Sequence, residues 1–353
     1  MTSEQLEAIL AHFAQTRICV VGDLFLDKYL DIDPALAESS LETGLEAHQV
    51  TRLRCYPGAA GTVANNLAAL GIGQVSVLTL VGDDGEGYDL RQALQRARID
   101  DGWLHVTPGF QTPTYTKPLQ QLGGGKTREL NRLDIKNRQP LSAHAEKWLI
   151  NKLREAVNSF DALMIADQVP ERNCGVITDR VRECLSELAQ ARPEVVFLAD
   201  SRTRIGEFRH VIVKPNRGEA ASATDSAAQG SASLEIGQVA RTLEKRTGRP
   251  VYITLGEDGL LVVAKGDVSR VPTYHVTGEI DIVGAGDSTM AGIAAALCSG
   301  ATLPQAGLIG CLMASITIQQ IGVTGTASPE ELRQRFTDFL QQQQELGQST
   351  ATI

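Results

Sequence analysis

The sequence predicts an α/β fold: a mostly parallel sheet with helices on both faces. Two observations carry this. Short apolar runs ending in Gly, Asp or Asn recur along the chain, as buried strands do, and segments with helical spacing lie between them. A third, the lack of any internal repeat or domain linker, favours a single domain spanning 1–353.

Taken in order, RICVVGD (Arg17 to Asp23) reads as the first buried strand. TVANNLAALG reads as a helix stopped by Gly71, QVSVLTLVG as the next strand and YDLRQALQRA as an amphipathic helix. DALMIAD, EVVFLAD, HVIVKPN and VYITLG follow as strands, with AEKWLINKLREAV and GVITDRVRECLSELAQ as helices among them. Two regions break this rhythm, at about 27–56 and 110–137. They are polar, extended and alternating, which predicts a small β-sheet covering one edge of the main domain. ASATDSAAQGSAS reads as a small-residue loop and GQSTATI as a loose tail.

Composition narrows the function. A net charge of -9 argues against a nucleic-acid scaffold, while leaving room for anionic metabolites at a focused site. Six cysteines without a C-x-x-C pair suggest unpaired thiols in a reducing compartment. The first residues carry two Glu and no continuous apolar core, so no secretory signal is read there, and AGLIGCLMASITI is too short for a bilayer span. A cytoplasmic protein is the expectation.

Ligands of open α/β sheets bind beyond the carboxyl ends of the strands, where this chain places Asp23, Asp83, Asp167, Asp200, Asn216 and Gly256. DIVGAGD enters an apolar helix. Gly284, Ala285 and Gly286 let an anion approach free helix amides, and Asp287 beside them suits a base for an attacking hydroxyl. A plain acid at a helix start is the other reading. In KPNRGEA, Asn216 and Glu219 could hold hydrated Mg²⁺ or could cap a helix. Gly58, Ala59 and Thr62 enter another helix with small side chains, fitting a close ligand or tight packing. Asp23 and Asp27 could accept sugar hydroxyls or serve as turn acids. GGGKT is a hairpin tip rather than a P-loop, since Gln120 stands where that pattern needs Gly, and VVGDLF lacks G-x-G-x-x-G. The histidines show no zinc-ligand spacing.

In order, these pieces resemble the ribokinase-like, or PfkB, carbohydrate kinases. DIVGAGD is similar to the D-x-x-G-A-G-D signature, VYITLGEDGL to T-L-G-x-x-G, KPNRGE to N-x-x-E and VGDDGEG to G-x-D-x-x-G. VGDLFLDKY, PTYTKPLQQ and ELNRLDIKN are most similar to the heptose 7-phosphate kinase branch, without room for the adenylyltransferase half of ADP-heptose synthesis enzymes. The resemblance implies a Rossmann-type three-layer core with a β-lid, ATP and Mg²⁺. It implies Asp287 as catalytic base and an anion hole at Gly284, Ala285 and Gly286. Sugar contacts are implied from Asp23, Asp27 and Gly58 with its neighbours Ala59 and Thr62, and nucleotide contacts from Asn216, Glu219, Thr254, Gly256 and Gly259. A monovalent cation, K⁺ in some relatives, is implied near Asp281, and a homodimer through the lids. Ala59 and Thr62 depart from the family, which has Gly and Asn there. Lys117, Arg132 and Arg202 could supply charge for a substrate phosphate. A kinase of an unphosphorylated sugar or nucleoside, and a non-catalytic sugar or nucleotide sensor, are the alternatives.

Overall fold

The computed structural model describes residues 1–124, 126–224, 236–322 and 324–350, with side chains through 345. A nine-stranded sheet forms its centre. Its spatial order is Asp267–Val271, Leu260–Ala264, Val251–Thr254, Ile212–Val213, Val196–Ser201, Ala162–Asp167, Arg17–Gly22, Gln74–Val81 and Leu104–Val106. All neighbours are parallel except around Leu260–Ala264, which is antiparallel to the strands on both its sides. That antiparallel edge, formed by the chain after VYITLG, was not read from the sequence.

Strand residues alternate between two cores, as the two-residue period of a pleated strand requires. Ile18 and Val20 face the helices Ala60–Ala69, Ala285–Cys298, Leu303–Thr317 and Pro329–Thr350. Cys19 and Val21 face Ala143–Ala156, Asp179–Ala191 and Ile236–Thr247. Burial on both sides explains why the strands read as continuous apolar runs. Helices Ala285–Cys298 and Leu303–Thr317 meet at glycines: a Cβ on Gly310 would lie 2.7 Å from the Thr289 carbonyl oxygen, and one on Gly292 2.9 Å from Gly310 Cα.

Several boundaries moved. The helix expected in GVITDRVRECLSELAQ begins only at Asp179, because Thr178 accepts a hydrogen bond from the Val181 amide and caps it. HVIVKPN contributes only Ile212–Val213 as strand. The last helix runs to Thr350, so most of the supposed loose tail is helical, and 351–353 lie outside the described residues. The ASATDSAAQGSAS segment opens as the end of helix Arg217–Ala223, and its remainder from 225 on also lies outside them.

A second, five-stranded sheet is built from the two polar regions. Leu24–Ile32 is antiparallel to Val50–Ala59 and parallel to Thr114–Gly123, which pairs in turn with Leu133–Ile135 and Lys126–Glu129. Thr114–Gly123 and Lys126–Glu129 form the hairpin read in LGGGK, with Gly123 and Gly124 at positive φ; Gly125 lies outside the described residues. No helix among the described residues is long and apolar enough to cross a membrane.

Candidate active site

Strand ends and one helix start converge on the carboxyl edge of the main sheet. Gly284 adopts φ +82° and turns the chain into helix Ala285–Cys298, a left-handed conformation that glycine adopts without steric cost. The Ala285 amide turns back to the Ile282 carbonyl at 3.2 Å. The amides of Gly286 and Asp287 have no backbone acceptor among the described residues, as expected for the open start of a helix. Lys214 brings a cation to the same place: a Cβ on Gly286 would sit 3.6 Å from its Nζ. Open amides, a helix dipole and an ammonium group together make a site for a polyanion.

Lys214 is 2% exposed and pairs with Asp200 at 3.1 Å. Burial opposes its charge, but Asp200, Glu219 and Asp287 more than offset that, so its ammonium is held above the ordinary range. Local sequence pattern assigns this lysine no role. The available signal was a cation at the end of the apolar run HVIV.

Asp287 is half-buried, and its carboxylate has no hydrogen-bond partner among the described residues. Burial and then Asp200 push its pKa up from 3.8 to about 7, against the pull of Lys214 and Arg202. An unpartnered carboxyl that titrates near neutrality suits proton transfer.

A cleft of about 670 Å³ opens beside this helix start, within the size range of nucleotide and cofactor pockets. Asp200, Lys214, Asn216, Glu219, Thr254, Gly256, Gly259, Ala285 and Gly286 all line it. Asn216 and Glu219 form a reciprocal capping box: the Glu219 amide donates to Asn216 Oδ1 at 2.9 Å, and the Asn216 amide to Glu219 Oε2 at 2.8 Å. Burial first, and then Asp200, raise the Glu219 pKa. Thr254 bridges to the Asn216 strand end through its amide and the Pro215 carbonyl, 3.0 Å. Gly259, at φ +80°, passes so close to Val271 that a Cβ would meet its carbonyl oxygen at 2.2 Å.

The second sheet brings its own charges near Asp287, on which Asp27 acts electrostatically. Asp27 is 7% exposed, and its Oδ2 lies 3.4 Å from Lys117 Nζ, which also donates to the Tyr29 hydroxyl at 3.1 Å. Burial raises the Asp27 pKa, and Lys117 offsets part of that. Gly58 gives Asp27 its room, since a Cβ there would lie 2.8 Å from the carboxyl carbon. Arg132 is spent on Asp134, with contacts of 2.6 and 2.9 Å, while its guanidinium stacks over Tyr115. Exposed Arg202 donates to Gln168 Oε1 at 2.9 Å. Thr62 reaches the opposite side of the Gly284 turn, its Cγ2 being 3.5 Å from a Cβ built on Gly284.

Asp23 is placed differently from the other acids. Its two oxygens accept from the amides of Gln168, Val169 and Val176 at 3.1, 3.2 and 2.6 Å. Its carboxylate therefore organises the loop after strand Ala162–Asp167. Asp167 enters a buried bridge with Arg204, 2.6 Å. In VGDDGEG the working acid is Asp84 rather than exposed Asp83: it accepts from the Gly87 amide at 2.7 Å and from the Thr112 amide and hydroxyl at 2.8 and 2.7 Å. Asp281 accepts from the Val283 amide at 3.0 Å and ties its own amide to the Ile318 carbonyl at 2.8 Å.

Ala59 has φ 52° and ψ -118°, a conformation that disfavours any residue with a Cβ. Its side chain packs against the cluster of Phe25, Val169 and Cys174. Ala59→Gly is expected to stabilise the fold by about 1 kcal/mol, relief of strain outweighing glycine's added chain entropy. Thermal denaturation reads this as a raised Tm.

An open α/β sheet with a polyanion site at one helix start and a lid-like second sheet defines a protein of the ribokinase-like class. The chain belongs to the pfkB family of carbohydrate kinases, whose pattern it matches over residues 15–331. Among curated relatives, bifunctional protein HldE of Trichlorobacter lovleyi is 31% identical over 336 residues, covering 94% of this chain and 65% of that protein. HldE of Gluconobacter oxydans is 31% identical over 334 residues, covering 94% and 66%. The chain thus spans about two thirds of the length of these relatives. Among solved structures, phosphofructokinase-2 of Escherichia coli in complex with potassium superposes with a TM-score of 0.66 at 17% identity, covering 91% of this chain and 98% of that one. Ribokinase of Arabidopsis thaliana complexed with ribose and ATP superposes at 0.65 and 16% identity, with the same coverage. These likenesses show the fold.

Proposed function

We propose that this chain transfers the γ-phosphoryl group of ATP to a hydroxyl of a sugar phosphate, with heptose 7-phosphate the first candidate. The observation that carries this is Asp287, an unpartnered carboxyl of raised pKa beside the open helix start and Lys214. The likeness of VGDLFLDKY, PTYTKPLQQ and ELNRLDIKN to the heptose 7-phosphate kinase branch favours the heptose. A nucleotide lies in the cleft between the Asn216–Glu219 turn and the Gly256–Gly259 turn. The Gly286 and Asp287 amides and Lys214 receive the charge that develops on the transferred group. Asp287 takes the proton of the attacking hydroxyl. The second sheet closes over the acceptor, excluding water, and Lys117 and Arg202 contribute positive charge on that side.

The residues fit a nucleotide-borne Mg²⁺ better than a protein-held one. No three His, Cys, Asp or Glu converge on one point among the described residues. Glu219 and Asp200 repel each other at the cleft wall, and a hydrated divalent cation relieves that repulsion. Mg²⁺ there neutralises phosphate charge. The family resemblance implies a monovalent cation near Asp281, a solved structure of the same fold holds potassium, and turnover in K⁺ against choline salts reads the need for one. Six free cysteines suit a reducing, cytoplasmic setting.

ADP release, measured with ATP and a panel of heptose, hexose and pentose phosphates and their free sugars, tests the reading. Turnover confined to phosphorylated sugars supports it. Turnover on free sugars or nucleosides alone moves the substrate class, and none on any acceptor overturns the kinase.

The lid also presents Val50, Leu53, Leu122 and Leu133 to solvent, an apolar set suited to pairing with a second copy. On this proposal, Leu53→Asp converts a dimer to a monomer in light scattering. A wild-type monomer rules the lid dimer out.

A further inference from the structure

The base-side wall of the nucleotide cleft is irregular chain. Between strand Asp267–Val271 and the turn at Asp281 there is no regular element, yet Thr273, Tyr274, His275, Val276 and Ile280 line the cleft. Such a segment needs something to hold its backbone. Among the described residues, the backbone of 272–280 makes hydrogen bonds to one side chain, Gln342 of the last helix. The His275 amide donates to Gln342 Oε1 at 2.9 Å, and Gln342 Nε2 donates to the His275 carbonyl at 3.1 Å. The carboxamide thus satisfies both main-chain groups of one residue, as a neighbouring strand would.

About two turns earlier on the same helix is Arg335, seven residues before Gln342 and therefore on the same face. Its guanidinium stacks on Tyr274 with its carbon 4.5 Å from the ring centroid. Its Nη1 donates to the carbonyl and the hydroxyl of Ser315 at 2.7 and 2.8 Å, and Nη2 donates to Gln319. Tyr274 and Ser315 both line the cleft, whereas Arg335 and Gln342 do not. The arginine therefore spans from the irregular wall to the helix Leu303–Thr317 behind it.

We infer that Arg335 and Gln342 are positioning residues for the nucleotide, holding the Tyr274–His275 wall at the spacing a nucleobase needs. This rests on the nucleotide-cleft reading above. It assigns the last helix a part in nucleotide affinity. Ordering the wall before binding removes an entropy cost that the nucleotide would otherwise bear.

Calorimetric titration with ADP, alongside steady-state kinetics, tests this on the full chain. Gln342→Ala and Arg335→Ala are expected to weaken ADP binding by about tenfold each and raise the KM for ATP equally. The KM for the acceptor and kcat stay near wild type. Arg335→Lys, which keeps the charge but loses the planar stack, is expected to fall between. Since the two hydrogen bonds between Gln342 and His275 are exposed to water, which can replace them, Gln342→Ala should keep its melting temperature, which separates positioning from a general loss of fold. Unchanged ADP affinity in both alanine variants overturns the inference and leaves the kinase reading intact. Parallel losses for ADP and acceptor also overturn it, since a general structural role then explains them. A wild-type chain that binds no ADP sinks both.

Discussion

Asp287→Asn is expected to lower turnover by about 10²–10⁴-fold, the usual range for a lost general base. ADP affinity should survive, because the helix amides and Lys214 stay in place. Comparing kcat with the ADP dissociation constant checks this, and near-normal turnover would remove Asp287 from the chemistry. The pH dependence has a definite sign. Burial and Asp200 lift this carboxyl from 3.8 to about 7. Only the ionised form accepts a proton, so kcat/KM of the wild type falls as pH drops below about 7. Stability runs the other way. A carboxyl whose folded pKa is raised favours the fold while it is protonated. That contribution is complete below about 4 and is lost as pH rises through about 7. Asp287→Asn should therefore raise Tm at pH 8 more than at pH 4. A site that costs stability at working pH is what a functional carboxylate predicts, whereas a stabilising helix-start acid would give the opposite order.

Arg204→Met is expected to destabilise the fold by about 3–5 kcal/mol, because it strands Asp167 as an uncompensated buried charge. The pair is almost fully buried, at 7% and 1% side-chain exposure, with a 2.6 Å contact. Arg204 also donates to the carbonyls of Val169 and Pro170, 2.5 and 2.8 Å. Those residues belong to the loop whose amides hold Asp23. Urea denaturation measures the loss. A value under about 1 kcal/mol would mean that water reaches Asp167 when the arginine is gone. Arg204→Met with Asp167→Leu should recover part of the stability, since an apolar pair leaves no buried charge.

Much of the site could be read in the sequence because its chemistry is local. Gly284, Ala285, Gly286 and Asp287 are consecutive, and a helix start needs no distant partner to expose its amides. Asn216 and Glu219 stand at capping-box spacing, and the structure realises the cap. The polar regions at about 27–56 and 110–137 do form a separate sheet, but its burial does not alternate: Leu24–Ile32 is mostly buried, whereas Val50–Ala59 is exposed over its first four residues. Other features were out of reach of local pattern. Asp23 meets amides some 145 residues away, so nothing near it in the chain distinguishes a loop-organising acid from a sugar ligand. The short strand at Ile212–Val213 and the antiparallel edge at Leu260–Ala264 depend on which neighbours were available to pair.

The sequence by itself determined the layered α/β class, the glycine-lined helix start with its acid, and the family to which the chain belongs. Each follows from short-range periodicity or from adjacent residues acting as one unit. Only the tertiary structure decided which carboxylates are free and which are spent. Among the described residues Asp287 has no hydrogen-bond partner, Asp23 accepts from loop amides, Asp167 pairs with an arginine, and Lys214 is turned toward the helix start. Those outcomes depend on desolvation and on partners brought together by folding, and both are properties of the packed chain.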